Sequence, residues 1–130
     1  MTKKLTLGKT ERLKSRKLID QLFSEGKKFG IAPFRVFYLY TASEKPSLQC
    51  GVGVSSKNFK KSVDRNTVKR KMREAYRLQK NGLADCIKEK NYSFHLFVIY
   101  TSKELPVYAE VHDSMKKVLD KLCNMINKGE

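Results

Sequence analysis

Leu18, Ile19, Leu22 and Phe23 recur at the spacing of one helix face. Ser15 stands where an N-cap belongs and Gly26 where a helix stops, so a first helix is expected between them. From Phe34 to Thr41 the period shortens to two, with aromatic and β-branched residues and no glycine or proline, which predicts a strand. Phe34, Val36, Tyr38 and Tyr40 point one way; Arg35, Phe37 and Leu39 point the other. Residues 43–47, with Pro46, read as a turn, and Leu48–Ser55 as the returning strand of a hairpin. One face of that strand carries Leu48, Cys50, Val52 and Val54. The other is bare: Gln49, Gly51, Gly53 and Ser55 leave room for another element or a ligand to approach the backbone. Residues 62–80 predict a second helix, with Ser62 or Asp64 as cap and Asn81-Gly82 as stop. Tyr92–Tyr100 is apolar on both faces, the mark of a strand in mid-sheet. A last helix is expected to begin near Glu104-Leu105-Pro106, with Pro in its first turn. Its core stripe is Val107, Val111, Met115, Val118, Leu122 and Met125.

These elements predict an α+β fold, a single-domain α-β sandwich with helices packed on a small mixed sheet. The order is αββ(β)αβα, the bracket standing for a strand the pattern does not place. Leu48–Ser55, the second helix and Tyr92–Tyr100 form a βαβ unit, whose crossover is right-handed by the general rule. Residues 1–12 are expected to be a flexible basic arm and residues 13–127 one domain. No repeat, low-complexity tract or Pro/Gly-rich linker divides the chain.

Composition narrows the class. The chain has 130 residues, 40% of them hydrophobic, enough for a core without staples. No apolar run approaches a membrane span, and the first dozen residues are polar and basic rather than signal-like. A cytoplasmic protein with no membrane partner is expected. Cys50, Cys86 and Cys123 are odd in number and far apart, so neither a disulfide framework nor a zinc site is expected, and all three read as small buried hydrophobes.

Charge changes the picture most. The formal net charge is +15, and it is segregated. Residues 1–30 carry +6 and residues 57–80 carry +8, while residues 81–130 sum to zero. Segregated positive charge costs self-repulsion unless a polyanion neutralises it. On a helical wheel Arg65, Asn66, Lys69, Arg70, Arg73, Arg77 and Lys80 fall within an arc of roughly 140°. Val68, Met72, Ala75 and Leu78 occupy the opposite side, and Lys71 among them can snorkel. Lys60 and Lys61 extend the basic run upstream. Arginine forks match phosphates, and Asn66 suits a base edge or a 2′-hydroxyl. A merely solvated face with i,i+4 salt bridges fails, because Asp64 and Glu74 are the only acids among ten bases between residues 57 and 80. The domain is therefore read as binding a polyanion, and a DNA-reading module is the weaker form of that reading because no helix-turn-helix spacing is visible.

The run Arg65-Asn66-x-x-Lys69-Arg70-x-x-Arg73-Glu74 resembles the arginine-rich signature of the bacterial ribonuclease P protein family. Gly51-Val52-Gly53-Val54-Ser55-Ser56-Lys57 resembles the strand before that signature. Arg12-Leu13-Lys14, followed by Ile19, Phe23 and Gly26, resembles the family's N-terminal helix. The resemblance covers residues 10 to 120. The family has Arg-Asn-Arg where this chain has Thr67 in third place. Thr67 lies at the edge of the wheel, so the loss is expected to be small, but a role for a third arginine is put in doubt.

The resemblance implies a left-handed crossover, against the general rule. It implies a subunit that binds the ribonuclease P RNA and the 5′ leader of precursor tRNA and assists endonucleolytic removal of that leader. The implied RNA-binding residues are Arg65, Asn66, Lys69, Arg70, Arg73, Arg77, Lys60 and Lys61. The implied leader cleft holds Ile19, Phe23, Val36 and Tyr38, with Arg12, Lys14 and Lys57 against phosphates. One extra residue before the strand leaves Phe37 as a rival to Tyr38. Read without the resemblance, Phe23 and Tyr38 would be core, since an aromatic strand face usually packs.

The acids are scattered, with no D-x-D or H-x-x-E pattern, so no catalytic group and no metal site are expected in this chain. His95 reads as a core residue and His112 as exposed. Gly51-x-Gly53 lacks the third glycine of a dinucleotide loop. The resemblance places catalysis in the RNA, with Mg2+ serving the holoenzyme there and no cofactor bound by the protein alone. The alternative is a ribosomal-type structural RNA-binding protein, which charge alone does not separate from the first reading.

Overall fold

The computed structural model describes residues 12, 13 and 15–128. In chain order the elements are α1 (Arg16–Glu25), β1 (Lys27–Ile31), β2 (Phe34–Ala42), β3 (Ser47–Val54), α2 (Ser62–Lys90), β4 (Tyr92–Tyr100) and α3 (Tyr108–Asn127). The α+β class and the element order are as expected, with β1 as the bracketed strand. The pattern did not place β1 because Gly30 and the following Ala32-Pro33 read as breakers. Pro33 instead follows a cis peptide in the tight turn that joins β1 to β2.

The sheet is mixed, in the order β1-β2-β4-β3. The expected hairpin between β2 and β3 does not form. β4 lies between them, antiparallel to β2 and parallel to β3. The reason is burial: β4 is apolar on both faces and takes the centre, whereas β3, with its glycine face, takes an edge. β3, α2 and β4 make the expected βαβ unit.

Register assigns the side chains to two faces. Phe34, Val36, Tyr38, Cys50, Phe94, Leu96, Val98 and Tyr100 are buried in the core. Val68, Met72, Ala75, Tyr76, Leu83 and Ile87 of α2 and Val111, Met115, Val118, Leu119, Leu122 and Ile126 of α3 complete it. The opposite face is met by the 10-residue α1, which packs on β2 and β4. Ser15 caps α1 as expected, its hydroxyl accepting from the Leu18 N–H at 3.4 Å. Gly26 closes the helix through space rather than handedness: its φ is −70°, and an added Cβ would stand 2.5 Å from the Leu22 carbonyl oxygen.

Four expectations about elements and cysteines are corrected. α2 does not stop at Asn81-Gly82 but runs on to Lys90, ending at Asn91 in the left-handed region with φ 57°. Leu83 and Ile87 continue its buried stripe, and that burial outweighs the roughly 1 kcal/mol a helical glycine costs. Its N-cap position falls on Lys61, not Ser62 or Asp64. α3 begins at Tyr108, after Pro106 rather than around it, and Val107 is 61% exposed. The Pro106 carbonyl, outside the helix, accepts from the Lys71 ammonium at 2.7 Å. Lastly, Cys86 of α2 and Cys123 of α3 form a disulfide, with Cα atoms 6.1 Å apart, leaving Cys50 as the buried free thiol. Sequence spacing could not foresee a pairing made by two helices packing side by side.

Leu13 is buried, and its N–H donates to the Cys50 carbonyl at 3.0 Å; Arg12 bridges to Cys50 in parallel. Position 12, expected in the flexible arm, is thus attached to the β3 edge. Residues 1–11 of that arm and Lys14 lie outside the described residues.

Candidate nucleic-acid interface

The first surface is the outer face of α2. Lys60, Lys61, Asn66, Arg70 and Arg73 are exposed and Lys69 is half-buried, and together they leave a basic ridge open to solvent. Three expected members have other duties. One terminal guanidinium nitrogen of Arg65 donates to the carbonyls of Phe59 (2.7 Å) and Lys60 (2.9 Å), so this side chain ties down the loop before α2. Arg77 pairs with Glu74, and its Nε donates to the same carboxylate at 3.2 Å. That hydrogen bond holds the Glu74 carboxyl below its ordinary range and raises the Arg77 guanidinium. Lys80 is not on the ridge at all: it is 3% exposed, because the long helix turns its buried stripe through Tyr76, Lys80, Leu83 and Ile87. Thr67 donates its hydroxyl back to the Val63 carbonyl at 3.0 Å, a use internal to the helix.

The second surface lies on the sheet face under α1. Phe23, 45% exposed, stands edge-on to Phe37 (centroids 5.0 Å apart, 69°) and to Phe97 (5.4 Å, 88°). The Phe97 ring leans over β3, where added Cβ atoms at Gly51 and Gly53 would come within 2.7 and 2.9 Å of it. The bare glycine face thus receives an aromatic ring from β4. Arg35 is exposed on the same face, opposite Ile99.

Val36 and Tyr38 do not line this cleft. Val36 is 0% and Tyr38 6% exposed, both in the core, with Tyr38 stacked on Phe94 at 5.9 Å. A shift of one residue changes faces in a strand, and Phe37, the rival position, is the one that meets Phe23. Phe97 was missed as a cleft residue. Its signal was present in the two-sided apolar strand facing a glycine-rich neighbour.

Ile19 is half-buried on α1, and Arg12 and Lys57 are exposed near β3. A cavity of about 250 Å³ wraps the β3 edge and is lined by Arg12, Ile19, Gly51, Arg73, Tyr76 and Phe97, among others. It brings one arginine of the α2 ridge together with residues of the α1 cleft. Cys50 lines it too; burial pushes that thiol far up, and the nearby Arg73 pulls it down by less. His95 is half-buried on the cleft side of β4, and burial holds its imidazole below the usual range. His112, expected to be exposed, is half-buried beside Tyr108. Among the described residues no three His, Cys, Asp or Glu side chains group to hold a metal ion, and no helix is long and apolar enough to cross a membrane.

Residues 7–123 match the family model described as Ribonuclease P. The chain is similar to the ribonuclease P protein component of Porphyromonas gingivalis, at 36% identity over 129 residues, covering 97% of this chain and 94% of that one. It is similar to the ribonuclease P protein component of Streptococcus agalactiae at 40% identity over 80 residues, 61% of this chain and 70% of the relative. Among solved structures, the RNase P protein of Staphylococcus aureus shares the fold with a TM-score of 0.67 at 21% identity, covering 87% of this chain and 95% of that one. The RNase P protein of Thermotoga maritima aligns with a TM-score of 0.65 at 25% identity, covering 85% and 96%.

Proposed function

This chain belongs to the ribonuclease P protein family, and on that premise we propose that its two surfaces divide one task between two RNAs. The ridge of α2 binds the catalytic RNA subunit. The cleft of Phe23, Phe37 and Phe97 holds the single-stranded 5′ leader of precursor tRNA, whose removal matures the tRNA 5′ end. The observation that carries this reading is the half-open aromatic trio joined, around the β3 edge, to an arginine ridge.

Each surface suits its partner on physical grounds. Unstacked bases gain about 1–3 kcal/mol each by stacking on aromatic rings, without demanding a sequence. Arg12, Arg35 and Lys57, all exposed, stand ready for leader phosphates. On the ridge, Asn66, Arg70 and Arg73 meet the RNA backbone directly, as do Lys60, Lys61 and Lys69. Arg65 shapes the loop that presents Lys60, and Arg77 contributes less because Glu74 already occupies it.

In this reading the bond-breaking groups lie in the RNA, with magnesium ions bound there, and the protein works electrostatically in the cytoplasm. By neutralising phosphates between substrate and ribozyme it strengthens precursor binding and lowers the magnesium requirement. The test is cleavage of a precursor tRNA at low magnesium by three mixtures: this protein alone, a bacterial ribonuclease P RNA alone, and both together. Activity confined to the mixture is the expected result. Cleavage by the purified protein alone would overturn the assignment of catalysis to the RNA.

A further inference from the structure

The charge of residues 81–130 sums to zero, yet α3 is polarised along its length. Glu110 and Asp113 lie in its first two turns, and Lys116, Lys117, Lys121 and Lys128 follow from its middle onward, with Asp120 the one acid among them. Lys117, Lys121 and Lys128 are spaced i, i+4 and i+11, which puts them on one face. With Asp120, Asn124 and Met125 they line a shallow depression.

That face runs along β1. Ser114 donates its hydroxyl to the Ala32 carbonyl at 3.3 Å, and the Lys121 ammonium sits 4.6 Å above the Phe29 ring. Lys27, exposed at the start of β1, stands 6.0 Å from the centre of the half-buried Tyr40 ring. None of Lys27, Lys117, Lys121 or Lys128 is ion-paired among the described residues. Asp120 is the one carboxylate in the depression.

Resting on the reading above, we propose that this β1–α3 edge is a further RNA-contact surface, taking the phosphate backbone of a segment that meets neither the α2 ridge nor the aromatic cleft. β1 and β3 are opposite edges of the sheet. Three strand spacings, about 15 Å, separate the new patch from the β3 edge where α2 and the cleft converge. Phe37 of the cleft stands on β2, next to β1, but on the sheet face opposite α3, so a short segment on the β1–α3 edge meets neither the cleft rings nor the β3 edge. Lysine suits this use: its ammonium is a mobile point charge that meets phosphates without fixing geometry or sequence. Two of the lysines rest against aromatic rings, which hold their charge at the surface without neutralising it.

The experiment measures binding of the full-length protein to a bacterial ribonuclease P RNA, and of the reconstituted holoenzyme to precursor tRNA, over a range of salt. Lys117→Gln/Lys121→Gln/Lys128→Gln is compared with wild type. Each phosphate contact contributes about 0.7–0.9 to the slope of log affinity against log salt, so a loss of about 2–3 in slope is expected in one of the two assays. Asp120→Asn should do the opposite and tighten the same complex about two- to threefold, a gain that a folding defect would not produce. Unchanged slopes in both assays, with wild-type binding intact, would overturn the proposal and leave the patch to an acidic protein or to solvent. Wild-type protein that binds neither RNA would overturn the proposed function itself, so the two failures are distinguishable.

Discussion

The two faces of the sheet carry similar residues and meet different fates. The core face presents Phe34, Tyr38, Phe94 and Tyr100 among its aromatics, and the cleft face presents Phe37 and Phe97. The first is roofed by α2 and α3, of 29 and 20 residues, which bury all four of these rings. The second is roofed by a helix of 10 residues and remains half-open at Phe23. Aromatic content does not distinguish a closed face from a half-open one here. The length of helix available to cover it does.

The comparison can be broken most forcefully at Phe94, which is fully buried between stacked tyrosines. Phe94→Ala should cost about 3–5 kcal/mol of stability in urea unfolding. Any effect on RNA binding should track the unfolded fraction alone. A specific binding defect in fully folded Phe94→Ala protein would deny the division between faces. Gly51→Ala tests the border between them, because the new methyl group collides with the Phe97 ring. A loss of about 1–3 kcal/mol is expected from the forced repacking. Preference for precursor over mature tRNA should fall as well, since the displaced ring belongs to the cleft.

Phe23→Ala sharpens the contrast from the open side. Stability should drop by about 1 kcal/mol, the scale of its two edge-on ring contacts. Preference for precursor over mature tRNA should weaken by about 1–3 kcal/mol if a base stacks there. A Phe23→Ala protein that discriminates normally would remove the leader from this cleft. The smallest effect is a pH dependence confined to the cleft face. Burial lowers the folded-state pKa of His95, so the unfolded chain takes up its proton first as pH falls through about 6.5. The stability this imidazole contributes is therefore complete above that pH and declines below it, until the folded state protonates too. Urea midpoints measured on both sides of pH 6.5 should show the decline, and His95→Gln should flatten it.

Much of this was legible in the sequence because it is local. Ser15 capping α1, the apolar stripe of α3, the two-sided β4 and the arginine ridge all follow from spacing along a single element. The readings that failed required knowledge of neighbours. The β2–β3 hairpin was the economical expectation from adjacency in the chain, but β4 competes for the same partners and buries more. Arg65, Arg77 and Lys80 shared an arc on the wheel, yet a loop carbonyl, a carboxylate and the core each claimed one of them.

The sequence by itself determined the fold class, the order of elements other than β1, the segregated positive charge and the helix that carries its densest face, because period, capping and charge act over a few residues. Only the tertiary structure decided which strands are neighbours and which edges remain open. It also decided that Phe37 rather than Tyr38 faces Phe23, that Phe97 fills the space above Gly51 and Gly53, and that Cys86 reaches Cys123. These outcomes depend on register and on competition for burial between distant segments, and a one-residue change of register exchanges the buried and open faces of a strand.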